Sequence, residues 1–162
     1  MQPKRVLFVC TGNSCRSVMA QALLAHRLKQ AGERLPKPVE VSSAGVFAMD
    51  GMSASRETVR LLAQEGIDVS GHMARSLTPD MARQADLIFT MEAFQQEEVL
   101  RRMSETQGKV HLLKAFGLRQ PPAAGAADIP DPIGKPTEVY ESCLATIREA
   151  VERVVQHLLS AK

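Results

Sequence analysis

The sequence has no tryptophan, one tyrosine and five phenylalanines, so aromatic residues occupy only 4% of its 162 positions. That is too few rings for a base-stacking surface, and the lysines and arginines are scattered rather than gathered into a run, which argues against a nucleic-acid reader. An excess of one charge is also missing. Twenty Lys and Arg against 18 Asp and Glu leave a formal net charge of +2, ordinary for a soluble globular chain. No apolar run approaches the roughly 20 residues of a membrane span. The basic start Met1-Gln2-Pro3-Lys4-Arg5 leads into an apolar run, Val6 to Cys10, that is too short for a secretory signal, so a cytoplasmic protein with no membrane partner is expected. Cysteine is scarce and odd in number: three residues argue against a secreted disulfide framework. Cys10 and Cys15 lack a matching Cys/His pair to complete a zinc site, so neither a structural metal nor a cofactor is expected.

What is present alternates between two periods. Val6-Leu7-Phe8-Val9 is a short continuous apolar run stopping at Cys10, as in a strand buried on both faces. Met19, Leu23, Leu24 and Leu28 then fall at helical spacing up to Gly32, with Ser17 where an N-cap would sit. Further strands are read at Val39–Ser42, Asp86–Thr90 and Val110–Leu113. Further helices are read at Ser55–Gln64, after Thr78-Pro79-Asp80, over Glu92–Met103 and over Thr137–Leu159, with a Pro/Gly/Ala-rich loop from Gly117 to Pro136. This alternation predicts one α/β domain over 1–162, a three-layer sandwich. A central four-stranded parallel sheet carries helices on both faces, and a phosphate-binding loop follows the first strand.

The loop Cys10-Thr11-Gly12-Asn13-Ser14-Cys15-Arg16-Ser17 occupies the strand-to-helix turn where ligands collect in open α/β sheets. A nest of backbone N–H groups can hold phosphoryl oxygens, and Arg16 adds a planar two-toothed fork. Cys10 would point its sulfur at phosphorus, in surroundings that favour a thiolate. Ser17 can donate its hydroxyl to that sulfur, and Gly12 and Asn13 tolerate left-handed backbone.

These residues resemble the signature of the low-molecular-weight protein tyrosine phosphatase family, a cysteine, five residues, then Arg-Ser. The similarity extends through Ser43-Ala44-Gly45, His72-Met73-Ala74-Arg75, the strand ending in Met91, and Asp131-Pro132. The resemblance implies a metal-free phosphoprotein phosphatase, acting on phosphorylated protein substrates as a monomer or weak dimer. It implies that Asp131 is the general acid, then the base that activates water. Asn13, Ser43 and His72 would hold the loop in shape, and Cys15 could form a reversible disulfide with Cys10.

The chain also departs from the family pattern. Ser14 stands where many members carry an aliphatic residue, and Ile133-Gly134 follows Asp131-Pro132 where tyrosines are common. With Ser43 to Ala48, these details resemble the bacterial protein arginine phosphatase branch. Ser14, Phe47, Asp128 and Ile133 are then the expected substrate pocket, for phosphotyrosine by family default or phosphoarginine by local detail. An arsenate reductase and a cysteine phosphocarrier are the alternatives on the same fold. The first needs a cysteine relay that Cys143 alone does not complete, and the second has less need of Arg16 and Asp131.

Overall fold

Strand β1 (Lys4–Cys10) is the spine of the protein. Its alternating side chains enter two different cores: Val6 and Phe8 on one face, Leu7 and Val9 on the other, none more than 1% exposed. It pairs in parallel with β2 (Val39–Gly45) on one side and β3 (Leu87–Thr90) on the other, and β4 (Val110–Leu112) extends the sheet beyond β3. The order β2-β1-β3-β4 gives the expected four-stranded parallel sheet. The computed structural model describes residues 2–123 and 125–161. Met1 and Lys162, the ends of the expected domain, and Ala124, within the expected 117–136 loop, lie outside the described residues.

Helices α1 (Arg16–Ala31), α2 (Arg56–Ala63) and α5 (Thr137–Ser160) cover the Phe8 face of the sheet. Helices α3 (Pro79–Gln84) and α4 (Ala93–Arg102) cover the Leu7 face. Helix α5 is rich in valine, yet it is helical because one stripe, from Tyr140 through Leu144, Ile147, Val151 and Val155 to Leu158, is buried. Each such aliphatic side chain contributes about 1.5–3 kcal/mol on burial. The helix propensity at stake is a few tenths of a kcal/mol per residue. Among the described residues no helix is long and apolar enough to cross a membrane.

Local signals set the ends. Ser55 caps α2 by accepting from Thr58 N–H, and Thr78 caps α3 by accepting from Met81 N–H, with Pro79 in the first turn. Strand β1 starts earlier than the apolar run suggests, at Lys4, whose N–H donates to Pro38 O at 2.8 Å. From β1 the chain goes to β2 on one side and later returns to β3 on the other. The carboxyl end of β1 is therefore a topological switch point, where such sheets form a crevice.

Candidate active site

The chain leaves β1 at Cys10 and re-enters regular structure at Arg16, and the intervening residues wrap around the Cys10 sulfur. The turn depends on Asn13, the one non-glycine among the described residues with positive φ (55°), a region asparagine tolerates better than most residues. This conformation aims the Asn13 N–H at Cys10 Sγ, 3.2 Å away. Among the described residues, the N–H groups of Gly12, Ser14 and Cys15 donate to no protein acceptor, so they are free to serve an anion.

The hydrogen-bond directions around the sulfur follow from the donor inventory. Asn13 Nδ2 donates to Ser17 Oγ at 2.8 Å and to Ser43 Oγ at 3.0 Å, which uses both of its hydrogens. Ser17 Oγ, already an acceptor, turns its own hydrogen to Cys10 Sγ, 2.9 Å away. Ser43 likewise passes its hydrogen to Gln21 Oε1. The sulfur thus receives two donors, Asn13 N–H and the Ser17 hydroxyl. Ser17 was expected as the α1 N-cap. The helix instead begins at Arg16 after Cys15, without a side-chain cap, because the Ser17 hydroxyl is turned back to the nucleophile.

The loop is held from outside by two segments. Val46 and Phe47 N–H donate to Cys10 O and Thr11 O, both at 2.9 Å, and Ser55 N–H donates to Ser14 O at 2.9 Å. From the other segment, His72 Nε2 lies 2.8 Å from Asn13 O, where a ring N–H donates. Arg75 N–H donates to Asn13 Oδ1 at 3.0 Å. Gly45 lets the strand end lie against the loop, since a Cβ there would stand 2.5 Å from Thr11 O and 3.1 Å from Asn13 N.

Arg16 is 2% exposed. Its Nη1 donates to Glu92 Oε1 and to Ile129 O at 2.7 Å, while Nη2 stands 3.6 Å from Asp131 Oδ2. One edge of the guanidinium is therefore anchored, and the Nε–Nη2 edge makes no hydrogen bond to the protein among the described residues. That free edge is the one that can take two oxygens of a tetrahedral anion. The anchor also positions Asp131. Ile129 N–H donates to Met91 O at 2.8 Å, and Asp128 Oδ1 accepts from Ala93 N–H at 2.8 Å, so residues 128 and 129 are stitched to the end of β3. Asp131, half-exposed two residues later, accepts from Ile133 N–H and stays beside Arg16.

The structure thus brings Cys10, Asn13, Arg16, Ser17, Ser43, His72 and Asp131 together. The expected pocket residues are placed less uniformly. Among the described residues Ser14 Oγ has no partner nearer than Cys15 Sγ at 3.7 Å, and Ile133 is exposed beside Asp131. Phe47 is 61% exposed rather than packed inward, with the Arg102 guanidinium 5.2 Å over its ring. Arg102 is fixed in turn by Glu98 at 2.7 Å and Val46 O at 2.9 Å. The Asp128 carboxylate accepts from Ala93 N–H at the start of α4 through Oδ1.

All three cysteines are free thiols. Cys15 Sγ donates to Ser55 Oγ at 3.2 Å, with Tyr140 Oη 3.9 Å away, so a bridge to Cys10 requires both sulfurs to leave their partners. Burial, aided by the neighbouring Cys15, raises the Tyr140 phenol above its ordinary value. Burial pushes the Cys143 thiol up to about 12, so it stays protonated and unreactive near neutrality.

Two side chains in this assembly were not singled out from the sequence as site residues: Glu92, read only as a helix start, and Gln95. Gln95 is fully buried. Its Oε1 accepts from Met91 and Glu92 N–H at 2.8 and 3.0 Å, and its Nε2 donates to Thr11 Oγ1 at 3.1 Å. It thereby ties the residue that anchors Arg16 to the first residue of the loop. The available signal was their position, immediately after a fully buried strand at the sheet's carboxyl edge.

Residues 5–162 match the family model described as low molecular weight phosphotyrosine protein phosphatase. The chain is 36% identical to a protein-arginine-phosphatase of Geobacillus stearothermophilus, over 96% of this chain and 97% of that one. It is 37% identical to the probable low molecular weight protein-tyrosine-phosphatase EpsP of Ralstonia solanacearum, over 96% of each. Among solved structures it superposes with a TM-score of 0.87, at 27% identity, on a cysteine-to-serine mutant of the YwlE arginine phosphatase. That match covers 98% of this chain and 97% of the other, and the mutant's active-site serine is phosphorylated.

Proposed function

Because the chain belongs to the low molecular weight phosphotyrosine protein phosphatase family, we propose that it hydrolyses phosphorylated protein side chains through a phosphocysteine on Cys10. The observation that carries this reading is the convergence of donors. Asn13 N–H and the Ser17 hydroxyl meet at the sulfur, below a nest of free N–H groups and the open edge of Arg16.

The Cys10 thiolate attacks phosphorus, forming the S–P bond as the bond from phosphorus to the leaving group breaks. Charge on the transferring oxygens is met by the loop N–H groups and Arg16. The departing oxygen or nitrogen takes its proton from Asp131. Asp131 then removes a proton from water, whose oxygen attacks phosphorus. The S–P bond breaks, Cys10 leaves as thiolate under the Ser17 hydroxyl, and inorganic phosphate is released. A disulfide relay of the arsenate-reducing kind finds no support in Cys143, whose buried thiol stays protonated.

Asp131→Asn tests the acid role. With a poor leaving group such as an alkyl phosphate, kcat is expected to fall by about 10²–10⁴. With a nitrophenyl phosphate, which departs without a proton, the loss is far smaller. Equal losses on both would remove Asp131 from the proton transfer.

Two leaving groups fit the site, the phenol of phosphotyrosine and the guanidine of phosphoarginine. The specific observation favouring the second is Ser14, whose half-buried hydroxyl offers a hydrogen bond where an aliphatic side chain would offer only a surface for a ring. A hydrogen bond of about 1–1.5 kcal/mol is worth roughly tenfold. Ser14→Ile is therefore expected to lower the ratio of kcat/KM for phosphoarginyl over phosphotyrosyl peptides by about that factor. An unchanged ratio would show that selectivity lies elsewhere.

A further inference from the structure

Three parts of the chemistry come from three stretches of chain: the Cys10 loop, the Arg16 fork and the Asp131 carboxylate. The guanidinium of Arg16 is turned by Glu92, which follows β3 and lies 76 positions away. The Asp131 segment is set from the same place, since Ile129 N–H donates to Met91 O at 2.8 Å. Fork and acid are therefore both referred to Met91 and Glu92, whereas the nucleophile is carried by β1. The backbone register of β1 against β3 ends at Val9 and Thr90, one residue short of Cys10 and Met91. On its other side the loop is held by Val46, Phe47, Ser55, His72 and Arg75, all from the chain that follows β2, so none of these refers it to β3.

Gln95, in the first turn of α4 and fully buried, spans that gap. The N–H groups of Met91 and Glu92 converge on one of its amide atoms at 2.8 and 3.0 Å, and of the two amide atoms only the oxygen accepts. The other atom is then the nitrogen, which donates to Thr11 Oγ1 at 3.1 Å. Thr11 is thus the acceptor, and among the described residues its own hydroxyl hydrogen has no protein partner. One planar amide holds the residues that set fork and acid at one end and the residue after the nucleophile at the other. Resting on the phosphatase reading above, we propose that Gln95 is a positioning residue that indexes the Cys10 sulfur to the Arg16 fork and the Asp131 carboxylate. Being buried, it meets no substrate itself. Its effect falls on the transition state, where a misplacement of about 1 Å can cost about a hundredfold, more than on ground-state binding of an anion.

The test is a cycle of Gln95→Leu, Thr11→Val and the double variant, with nitrophenyl phosphate as substrate and vanadate and inorganic phosphate as inhibitors. Vanadate, a five-coordinate mimic of the transferring phosphoryl group, reports alignment, and phosphate reports simple anion binding. Thr11→Val removes only the tie. It is expected to lower kcat/KM about tenfold, the size of one hydrogen bond, and to weaken vanadate by the same factor while phosphate weakens less than twofold. Thr11→Ser, which restores the acceptor, is expected to recover most of that loss. Gln95→Leu also frees two backbone N–H groups, and a loss of about a hundredfold is expected, which adding Thr11→Val does not deepen. Losses that multiply in the double variant overturn the inference, because Thr11 then acts without Gln95. Equal weakening of vanadate and phosphate, no recovery in Thr11→Ser, or a Thr11→Val kcat/KM within twofold of wild type overturns it as well. If Gln95→Leu does not fold, the two Thr11 variants and the inhibitor comparison decide the matter alone. Absence of nitrophenyl phosphate turnover in wild type would instead sink the phosphatase reading itself, a separate result.

Discussion

Cys10→Ser protein is expected to fold, to bind phosphate and to release none from any substrate, with turnover reduced on the order of 10⁴-fold or more. The fold should survive because the serine oxygen can accept from the same two donors, Asn13 N–H and the Ser17 hydroxyl, that now meet the sulfur. What is lost is the nucleophile. A serine hydroxyl is almost wholly protonated near neutrality, and the two donors that meet it give it no base. Two measurements check this together, inorganic phosphate release over hours and the thermal unfolding midpoint. Cys143→Ala is the matched control, since its buried thiol, at about 12, takes no part in the chemistry, and turnover within twofold of wild type is expected. Residual Cys10→Ser activity above about one per cent would exclude Cys10 as the attacking group.

The second large effect is structural in origin. Asn13→Ala should lower both stability and kcat, because the Asn13 side chain bonds three neighbours and its backbone a fourth. It donates to Ser17 and Ser43, accepts from Arg75 N–H, and allows the backbone its φ of 55° so that His72 meets its carbonyl. A left-handed alanine costs about 1–2 kcal/mol, and each buried polar group left unpaired costs about 1–3 kcal/mol more. Ser17 and Ser43 keep the hydrogen bonds they donate, so Arg75 N–H is the group that loses its partner. The sum of about 2–5 kcal/mol is a large part of the roughly 5–15 kcal/mol that holds a typical domain folded. Asn13→Gly separates the two causes, recovering the backbone share but not the hydrogen bonds. If denaturant unfolding places Asn13→Ala within about 1 kcal/mol of wild type, the network does not hold the loop.

Spacing alone exposed what is local, and the distant residues Ser43, His72 and Asp131 were legible only through the family resemblance. Cys10, Arg16 and Ser17 were legible because a strand, a glycine-containing turn and a helix place them together within eight residues. The sheet was legible because Val6 to Val9 and the α5 stripe carry their burial in their spacing. Glu92 was not, since its partner Arg16 lies 76 positions away and nothing near Glu92 marks it as more than the first residue of a helix. The same holds for Gln95, whose bond to Thr11 spans 84 positions. For Phe47, read as a pocket wall, the hidden part was its distant neighbour: the Arg102 guanidinium, held by Glu98 and Val46 O, lies over the exposed ring. Ser17 admits two roles from the sequence, a helix cap and a donor to the Cys10 sulfur, and the structure has the hydroxyl beside the sulfur.

The close approach at Gly45 bears on what counts as the transferable unit of this activity. The eight residues from Cys10 to Ser17 do not contain their own shape. Thr11 O rests where a Gly45 side chain would be, Asn13 is gripped by Ser43, His72 and Arg75, and Arg16 is parked by a residue that follows another strand. Grafted alone onto a different strand-turn-helix, the octapeptide would arrive as a floppy cysteine turn. To carry the chemistry, a graft must bring the end of the neighbouring strand with its glycine, and the segments that brace it, as a single casting mould.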